Sequence, residues 1–139
     1  TDDMQELFAQ PDGTHCAANQ VLYNVGSRGI EYDLLPLMRQ HQIPVMAYCP
    51  LAQAGRLRRG LLNHPALRQI AGEHHATVPQ ILLAFLLAQP GVLPIPRTGS
   101  AQHAQQNAAA AEIRLSAEEL ALLDAAFPKP KRKTRLEIV

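Results

Sequence analysis

The sequence has no tryptophan, and its aromatic residues make up only 4% of the 139 residues. Its two cysteines, Cys16 and Cys49, lie far apart and form no C-x-x-C or zinc-type spacing. A disulfide framework is therefore not expected, and the cysteine usage favours a reducing compartment, the cytoplasm. The 6 histidines are scattered rather than spaced as metal ligands, so the sequence predicts no metal site.

Long apolar runs are also missing. No run approaches the roughly 18 residues that a bilayer crossing needs, and no basic and apolar leader follows the opening Thr1-Asp2-Asp3. We therefore expect no membrane span and no signal peptide, and the absent initiator methionine indicates a trimmed N-terminus. The net charge of +1 provides no strong field that would favour nucleic acid or membrane as a partner. The chain does have 47% hydrophobic residues, which is enough for one compact domain.

Short apolar runs alternate with longer amphipathic stretches along the chain. The apolar runs predict three strands, at 19–24, 45–48 and 92–95. The helical spacing of apolar residues predicts five helices, at 34–42, 65–74, 80–89, 101–111 and 117–126. Capping boxes at Thr77-x-x-Gln80 and Ser116-x-x-Glu119 indicate where two of these helices begin. The segment Leu51–Asn63, with two glycines and three arginines, is expected to be a loop.

This order of elements predicts an α/β fold. Strands separated by helices of this length form parallel β-α-β units with right-handed crossovers. Three such units do not close a sheet, so the strands at 19–24 and 92–95 would be open edges. We therefore expect the chain to be part of a larger fold, either bound to a missing half or self-associated. The side chains expected to lose packing partners in the isolated chain are Val21, Tyr23, Val45, Ala47 and Val92.

Four motifs occur together and in order, although each alone is weak evidence. They are N-Q-V-x-Y-N at 19–24, R-G-I-E-x-D-L-L-P at 28–36, A-Y-C-P-L-A at 47–52, and I-P-R-T at 95–98 followed by His103 and Asn107. With these motifs the chain resembles the C-terminal half of an aldo-keto reductase, of the bacterial diketogulonate and methylglyoxal reductase type. The resemblance covers nearly the whole chain. It assigns 1–127 to the half barrel, and the basic tail at 128–139 is its least certain part.

The resemblance implies part of a (β/α)₈ TIM barrel, with strands six to eight and their helices. It implies NADPH, or less often NADH, as the cofactor and a small-molecule aldehyde or ketone as the substrate. The family's catalytic Asp, Tyr, Lys and His belong to the first half of the barrel, and no segment here matches their motifs. We therefore expect no catalytic residue in this chain, and no activity from the chain alone.

The resemblance also assigns cofactor contacts near two strands. It implies that the Tyr48 ring stacks on the nicotinamide and that the Gln20 amide lies near the carboxamide. The alternatives are a core tyrosine and a strand-end amide that satisfies backbone groups. Backbone amides of the loop after Tyr48 are expected to contact the pyrophosphate, so that cysteine in place of the family's usual serine matters little. The loop positions are Cys49, Pro50, Leu51 and Gln53.

A second group of polar residues precedes and begins the helix at 101. Arg97, Thr98 and Ser100 place a cation and two hydroxyls beside a helix N-terminus, a combination that suits the 2′-phosphate of NADPH. The resemblance adds His103, where arginine is common, Gln106, where an acidic residue is common, and Asn107, which is implied to contact the adenine. The alternatives are a solvated loop charge for Arg97 and an exposed helix residue for His103.

Three other interpretations stay open at this point. The pair His74-His75 is expected to be a solvated helix C-terminus rather than a metal site, because adjacent helical residues point about 100° apart. The basic tail lacks the aromatic interleaving typical of nucleic-acid binding, and the resemblance implies a segment over the substrate mouth instead. The alternative function is a non-enzymatic nucleotide-binding or protein-interaction module derived from the same fold.

Overall fold

A computed structural model describes residues 1–53 and 55–138. Three short 3₁₀ turns, at Gly13–His15, Gly29–Glu31 and Ala110–Glu112, supplement the main elements. The described residues form three strands, β1 (Asn19–Leu22), β2 (Val45–Tyr48) and β3 (Val92–Pro94). They also form seven α-helices, α1 (Asp2–Phe8), α2 (Leu34–Gln40), α3 (Arg56–Leu62), α4 (Pro65–Glu73), α5 (Val78–Leu87), α6 (Ala101–Ala109) and α7 (Ala117–Ala126).

The three strands make one parallel sheet in the order β1-β2-β3. Asn19 pairs with Val45, and Val45 pairs with Val92, so all three strands begin at the same level. The predicted α/β class and parallel sheet are confirmed. Within the described residues β1 and β3 each have one unpaired edge, as the order of elements predicted.

The predicted helix starts are also confirmed. The backbone N–H of Thr77 donates to the Gln80 side-chain oxygen at 2.9 Å. At the last helix the bonds are reciprocal, since Ser116 N–H donates to Glu119 at 2.6 Å and Glu119 N–H donates back at 3.2 Å. Both patterns satisfy N–H groups that have no partner inside the helix, which is why they fix the first residue of the helix.

One face of the sheet carries the hydrophobic core. Val21, Val45 and Ala47 are almost completely buried in a cluster that includes Ile81 and Phe85 of α5. The expectation that Val21, Tyr23, Val45, Ala47 and Val92 lose their packing partners is therefore wrong, because the first four are buried in this cluster and the half-buried Val92 packs against it. Residue alternation along a strand places Gln20, Met46 and Leu93 on the opposite face, where Leu93 is 52% exposed.

Local expectations fail where capping signals or periodicity are weak. The segment expected to be a loop contains α3, whose N-terminal Gly55 has a φ of 120°. Helix α1 has no counterpart in the expected elements, and β1 ends at Leu22 because Asn24 turns back to pair with Ser27. His74 is not simply solvated, since its Nε2 lies 2.7 Å from Glu119 Oε1.

A buried ionic cluster ties α7 to the segment after β1. Arg28 is 5% exposed and contacts both Glu31 oxygens, at 2.7 and 2.8 Å, and Asp124 at 2.8 Å. Its Nη1 donates to the Phe127 carbonyl at 2.6 Å, and Tyr23 donates to Glu31 at 2.7 Å. We call these five residues the Arg28 cluster. Because every one of these polar groups has a partner, the cluster avoids the cost of an unpaired buried charge.

The electrostatics of the Arg28 cluster follow from this pairing. Burial, reinforced by the Glu31 charge, raises the pKa of Tyr23 far above its ordinary value. Burial alone would lower the pKa of Arg28, but its bonds to Glu31 and Asp124 outweigh burial and raise it. Lys129 and Arg28 likewise outweigh the effect of burial on Asp124 and lower its pKa. The tyrosine stays neutral and the arginine stays charged at ordinary pH.

Candidate cofactor-binding site

Two connecting segments leave the sheet at the carboxyl ends of their strands. The β2 turn (49–53) follows Tyr48, the last residue of β2, and the β3 loop (95–100) follows Pro94. The Ile95 N–H donates to the Ala47 carbonyl at 3.1 Å, so the loop starts beside the end of β2. Because parallel strands have their carboxyl ends on one side, both segments border a single region, as ligand sites in open and closed α/β sheets do.

Tyr48 and Gln20 lie on the sheet face opposite the helices. Tyr48 pairs in register with Leu22, and Gln20 pairs with Met46, which places all four on the face away from the core. Tyr48 is half-buried and Gln20 is exposed. In the described residues the Tyr48 hydroxyl has no hydrogen-bond partner, so ring and hydroxyl are both accessible from this face.

The β2 turn has an unusual backbone. Cys49 and Ala52 have φ values of 48° and 59°. Residues other than glycine adopt this left-handed backbone conformation only at a cost in free energy. The Ala52 N–H donates to the Cys49 carbonyl at 2.9 Å and closes the turn. Pro50 is buried, Leu51 packs against the core and Gln53 is exposed. Pro50 and Leu51 thus anchor the turn to the protein, while Gln53 is exposed to solvent.

The β3 loop presents a cation next to the start of α6. Arg97 and Thr98 are exposed, and the Thr98 hydroxyl accepts a bond from the Ser100 N–H at 3.1 Å. Ser100 caps α6 by accepting from the His103 N–H at 3.3 Å, as its position in the sequence predicted. In the part of the chain that the structure describes, the Arg97 side chain makes no hydrogen bond or ion pair. An exposed and unpaired cation next to a helix N-terminus can bind an anion.

The other predicted contact residues lie along α6. His103 is exposed, and Gln106 and Asn107 are half-buried on the side toward the body of the protein. The Gln106 carbonyl accepts a bond from Gln80 at 3.1 Å, which holds α6 against α5. The structure therefore joins the β3 loop to α6 and places the start of that loop beside the end of β2, whereas Gln20 lies one strand away on β1.

The C-terminal tail borders a cleft at the end of β1. The cleft has a volume of about 220 Å³, and its lining includes Leu22, Asp33, Lys133 and Thr134. Lys133 contacts Asp2 at 2.6 Å and Asp33 at 3.8 Å. These residues have a charge pattern too generic to be recognised in the sequence, and only the fold shows that the tail reaches them.

Asn24 ends the first of the four motifs, but no role was predicted for it. Its side chain accepts from the Gly26 N–H at 3.0 Å and donates to the Cys49 carbonyl at 3.1 Å. The first bond forms an Asx turn, for which an asparagine just after a strand and two residues before a glycine is a sequence signal. No sequence signal indicates the second bond, because it joins residues 25 positions apart.

Within 1–53 and 55–138 no three histidine, cysteine or acidic side chains are grouped so as to hold a metal ion. No helix in these ranges is long and apolar enough to cross a membrane.

Comparison with known proteins gives consistent matches. Residues 1–127 match the model of the Aldo/keto reductase family. The chain is 56% identical over 137 residues to methylglyoxal reductase YeaE of Escherichia coli, covering 99% of this chain and 48% of that protein. It is 38% identical over 110 residues to pyridoxine 4-dehydrogenase of Escherichia coli, covering 78% of this chain and 36% of that protein.

Solved structures extend these matches. An aldo-keto reductase from Klebsiella pneumoniae, crystallised in complex with NADPH, superposes with a TM-score of 0.96 at 59% identity. The superposition covers 100% of this chain and 49% of that one. The chain thus spans about half the length of these relatives.

Proposed function

Because the chain belongs to the aldo/keto reductase family, we propose that it supplies the NADPH-binding half of an enzyme that reduces aldehydes or ketones to alcohols. In this proposal 1–127 is the C-terminal half of a (β/α)₈ barrel, β1 to β3 are strands six to eight, and 128–139 is a separate basic tail. The proposal rests chiefly on one observation: the β2 turn and the β3 loop border the same region at the carboxyl ends of the strands.

Each segment has a role in holding the cofactor. The Tyr48 ring stacks on the nicotinamide and fixes the face from which hydride leaves, with the Gln20 amide beside the carboxamide. Backbone amides of Cys49, Leu51 and Gln53 contact the pyrophosphate. Pro50, which has no backbone N–H, lies between the first two of these residues. Arg97, Thr98 and Ser100 hold the 2′-phosphate, which is the group that distinguishes NADPH from NADH. His103, Gln106 and Asn107 line the adenine side along α6.

The chemistry divides between this chain and the rest of the barrel. When bound, NADPH would supply a hydride to the carbonyl carbon, and the carbonyl oxygen would take a proton from an acid of the complementary half. Tyr23 is unsuited to that role, because it is buried, its hydroxyl already donates its hydrogen bond to Glu31, and burial raises its pKa and so makes it a weaker acid. The chain's own residues therefore bind and orient, and catalysis requires the complementary half.

The open side of the sheet supports a partner of the same fold. β1 and β3 have unpaired edges in the described residues, and Leu93 on the face away from the helices is 52% exposed. In the proposed barrel the remaining strands pair with these edges and cover that face. The isolated chain is expected to self-associate instead, because open edges pair with other chains.

The substrate proposed for testing is methylglyoxal. The Escherichia coli relative that is 56% identical carries that substrate in its name, whereas pyridoxine 4-dehydrogenase, at 38%, carries a different one. The class common to both is a small carbonyl compound and its alcohol.

The test uses a chimera in which this chain replaces the matching segment of the Escherichia coli methylglyoxal reductase. We expect the chimera to oxidise NADPH when methylglyoxal is added, and the 139-residue chain alone to show no turnover. A chimera that folds and binds NADPH without turnover on a panel of small aldehydes would favour the non-enzymatic module. A folded chimera that binds neither NADPH nor NADH would refute the proposed cofactor site.

A further inference from the structure

Asn24 connects the end of β1 to the strained turn that follows β2. The residue is 1% exposed, and its Nδ2 donates to the Cys49 carbonyl at 3.1 Å. That carbonyl also accepts the Ala52 N–H at 2.9 Å, so one oxygen is held from two directions. The Asn24 bond joins the segment after β1 to the segment after β2, whereas the Ala52 bond is internal to the turn.

The backbone of the β2 turn needs such external support. Left-handed φ values at two residues that are not glycine persist only where the surroundings determine them, and such strain is concentrated at functional sites. Cys49 and Ala52 both have left-handed φ values, and the Cys49 carbonyl lies between them. A side chain that fixes this carbonyl therefore limits how far the peptide groups of the turn can rotate.

Asn24 is itself held rigidly. Its Oδ1 accepts the Gly26 N–H at 3.0 Å, and its backbone pairs with Ser27 through bonds of 3.0 and 3.4 Å. A Cβ at Gly26 would lie 3.2 Å from Leu57 of α3, so the 24–27 turn also packs closely on the helix that follows the β2 turn. The donor is thus fixed before a cofactor arrives.

We propose that Asn24 is a positioning residue that holds the β2 turn in its cofactor-binding conformation through the Cys49 carbonyl. The inference rests on the proposed function, since it names what prepares that same site. Asn24 contacts neither cofactor nor substrate. It fixes the direction of the turn amides and of the Tyr48 ring that precedes them, and pre-organised groups bind a ligand without the entropic cost of ordering them.

Two substitutions in the chimera separate the two bonds of Asn24. Asn24→Asp keeps the acceptor for the Gly26 N–H and loses the donor to Cys49, whereas Asn24→Ala loses both. Asn63→Ala is the matched control, because Asn63 also donates to a backbone carbonyl, that of Arg59 at 2.9 Å, but on the exposed end of α3. Folding of each variant is checked by urea unfolding, and cofactor binding by fluorescence titration.

We expect both Asn24 variants to weaken NADPH and NADH by the same factor, about 3- to 10-fold for one lost hydrogen bond. Hydrogen exchange at the Ala52 amide should accelerate in both, and Asn63→Ala should change neither measurement. Arg97→Ala in parallel should weaken NADPH alone. If Asn24→Asp does not fold, Asn24→Ser takes its place, because a serine hydroxyl can accept the Gly26 N–H but is too short to reach the Cys49 carbonyl.

Two results would overturn the inference while leaving the proposed function intact. One is faster exchange at Ala52 with cofactor affinities within about twofold of the parent chimera. The other is weakening by Asn24→Ala but not by a folded Asn24→Asp, which would assign the effect to the 24–27 turn alone. A parent chimera that binds no cofactor would refute the proposed function and this inference together.

Discussion

Arg28 and Arg97 illustrate two opposite uses of a positive charge in one small chain. Arg28 is buried and contacts two carboxylates and a backbone carbonyl, whereas Arg97 is exposed in the β3 loop without a protein partner among the described residues. A buried charge must be paired within the protein, because an unpaired one is costly. An exposed charge beside a helix N-terminus has its binding capacity left for a ligand. Arg28 therefore contributes to stability, and cofactor binding is the role proposed for Arg97.

The largest effect is expected from removing the buried charge. Arg28→Ala leaves Glu31 and Asp124 without their main partner, and breaking a buried ionic network costs about 3–5 kcal/mol of unfolding free energy. Urea unfolding of the chimera measures this loss. The control is Arg68→Ala, on the exposed side of α4, which should change stability by less than about 0.5 kcal/mol. A loss for Arg28→Ala no larger than the control's would contradict the structural assignment.

The next effect should appear in binding rather than in stability. Arg97→Ala removes the proposed charge-assisted contact to the 2′-phosphate; such a contact is worth roughly 1.5–3 kcal/mol, or a tenfold or larger loss of NADPH affinity. NADH affinity and the urea midpoint should stay unchanged. Fluorescence titration of the chimera with both cofactors tests this, and an equal loss for both would show that Arg97 does not contact the phosphate.

The tyrosine of the Arg28 cluster should reveal itself at alkaline pH. Its pKa is raised above the ordinary 10.0, so above pH 10.0 the unfolded tyrosine ionises first and the unfolded state is favoured. The stability that this group contributes is present below that pH and falls as the pH rises. Between about pH 8 and about pH 11, Tyr23→Phe should therefore lose less unfolding free energy than the parent.

At lower pH the same substitution tests the hydrogen bond itself. Tyr23→Phe removes a bond to a carboxylate, for which roughly 1.5 kcal/mol is expected. If parent and variant showed identical pH slopes, Tyr23 would be titrating normally, in conflict with its burial against Glu31.

The smallest effect separates two serine N-caps. Ser100→Ala and Ser116→Ala each remove one N-cap bond, with an expected cost of about 1 kcal/mol of stability for each. Only Ser100 lies in the β3 loop, so only Ser100→Ala should also weaken NADPH, by a few-fold. Equal NADPH affinities in the two variants would remove Ser100 from the proposed site.

The contrast between the two arginines also shows how far sequence reasoning reaches. Arg97 was predicted as a binding residue because Thr98 and Ser100 mark a loop that enters a helix, which is a local pattern. Arg28 was part of a recognised motif, but its partners Asp124 and Phe127 lie near the other end of the chain. No local pattern predicts such a contact, and the same holds for the bond from Asn24 to Cys49.

The sequence alone determined the parallel sheet, the capped helices and the family, because hydrophobic periodicity, capping boxes and motif order are all written in adjacent residues. Tertiary structure alone decided which face of the sheet is buried. β2 is apolar at every position and so has no alternation to show which side faces the helices, which is why Ala47 was expected to lose packing partners that it keeps. Packing against α5 settles that orientation. The α3 helix, the strained β2 turn and the position of the tail likewise depend on contacts between distant segments, which act only once the chain has folded.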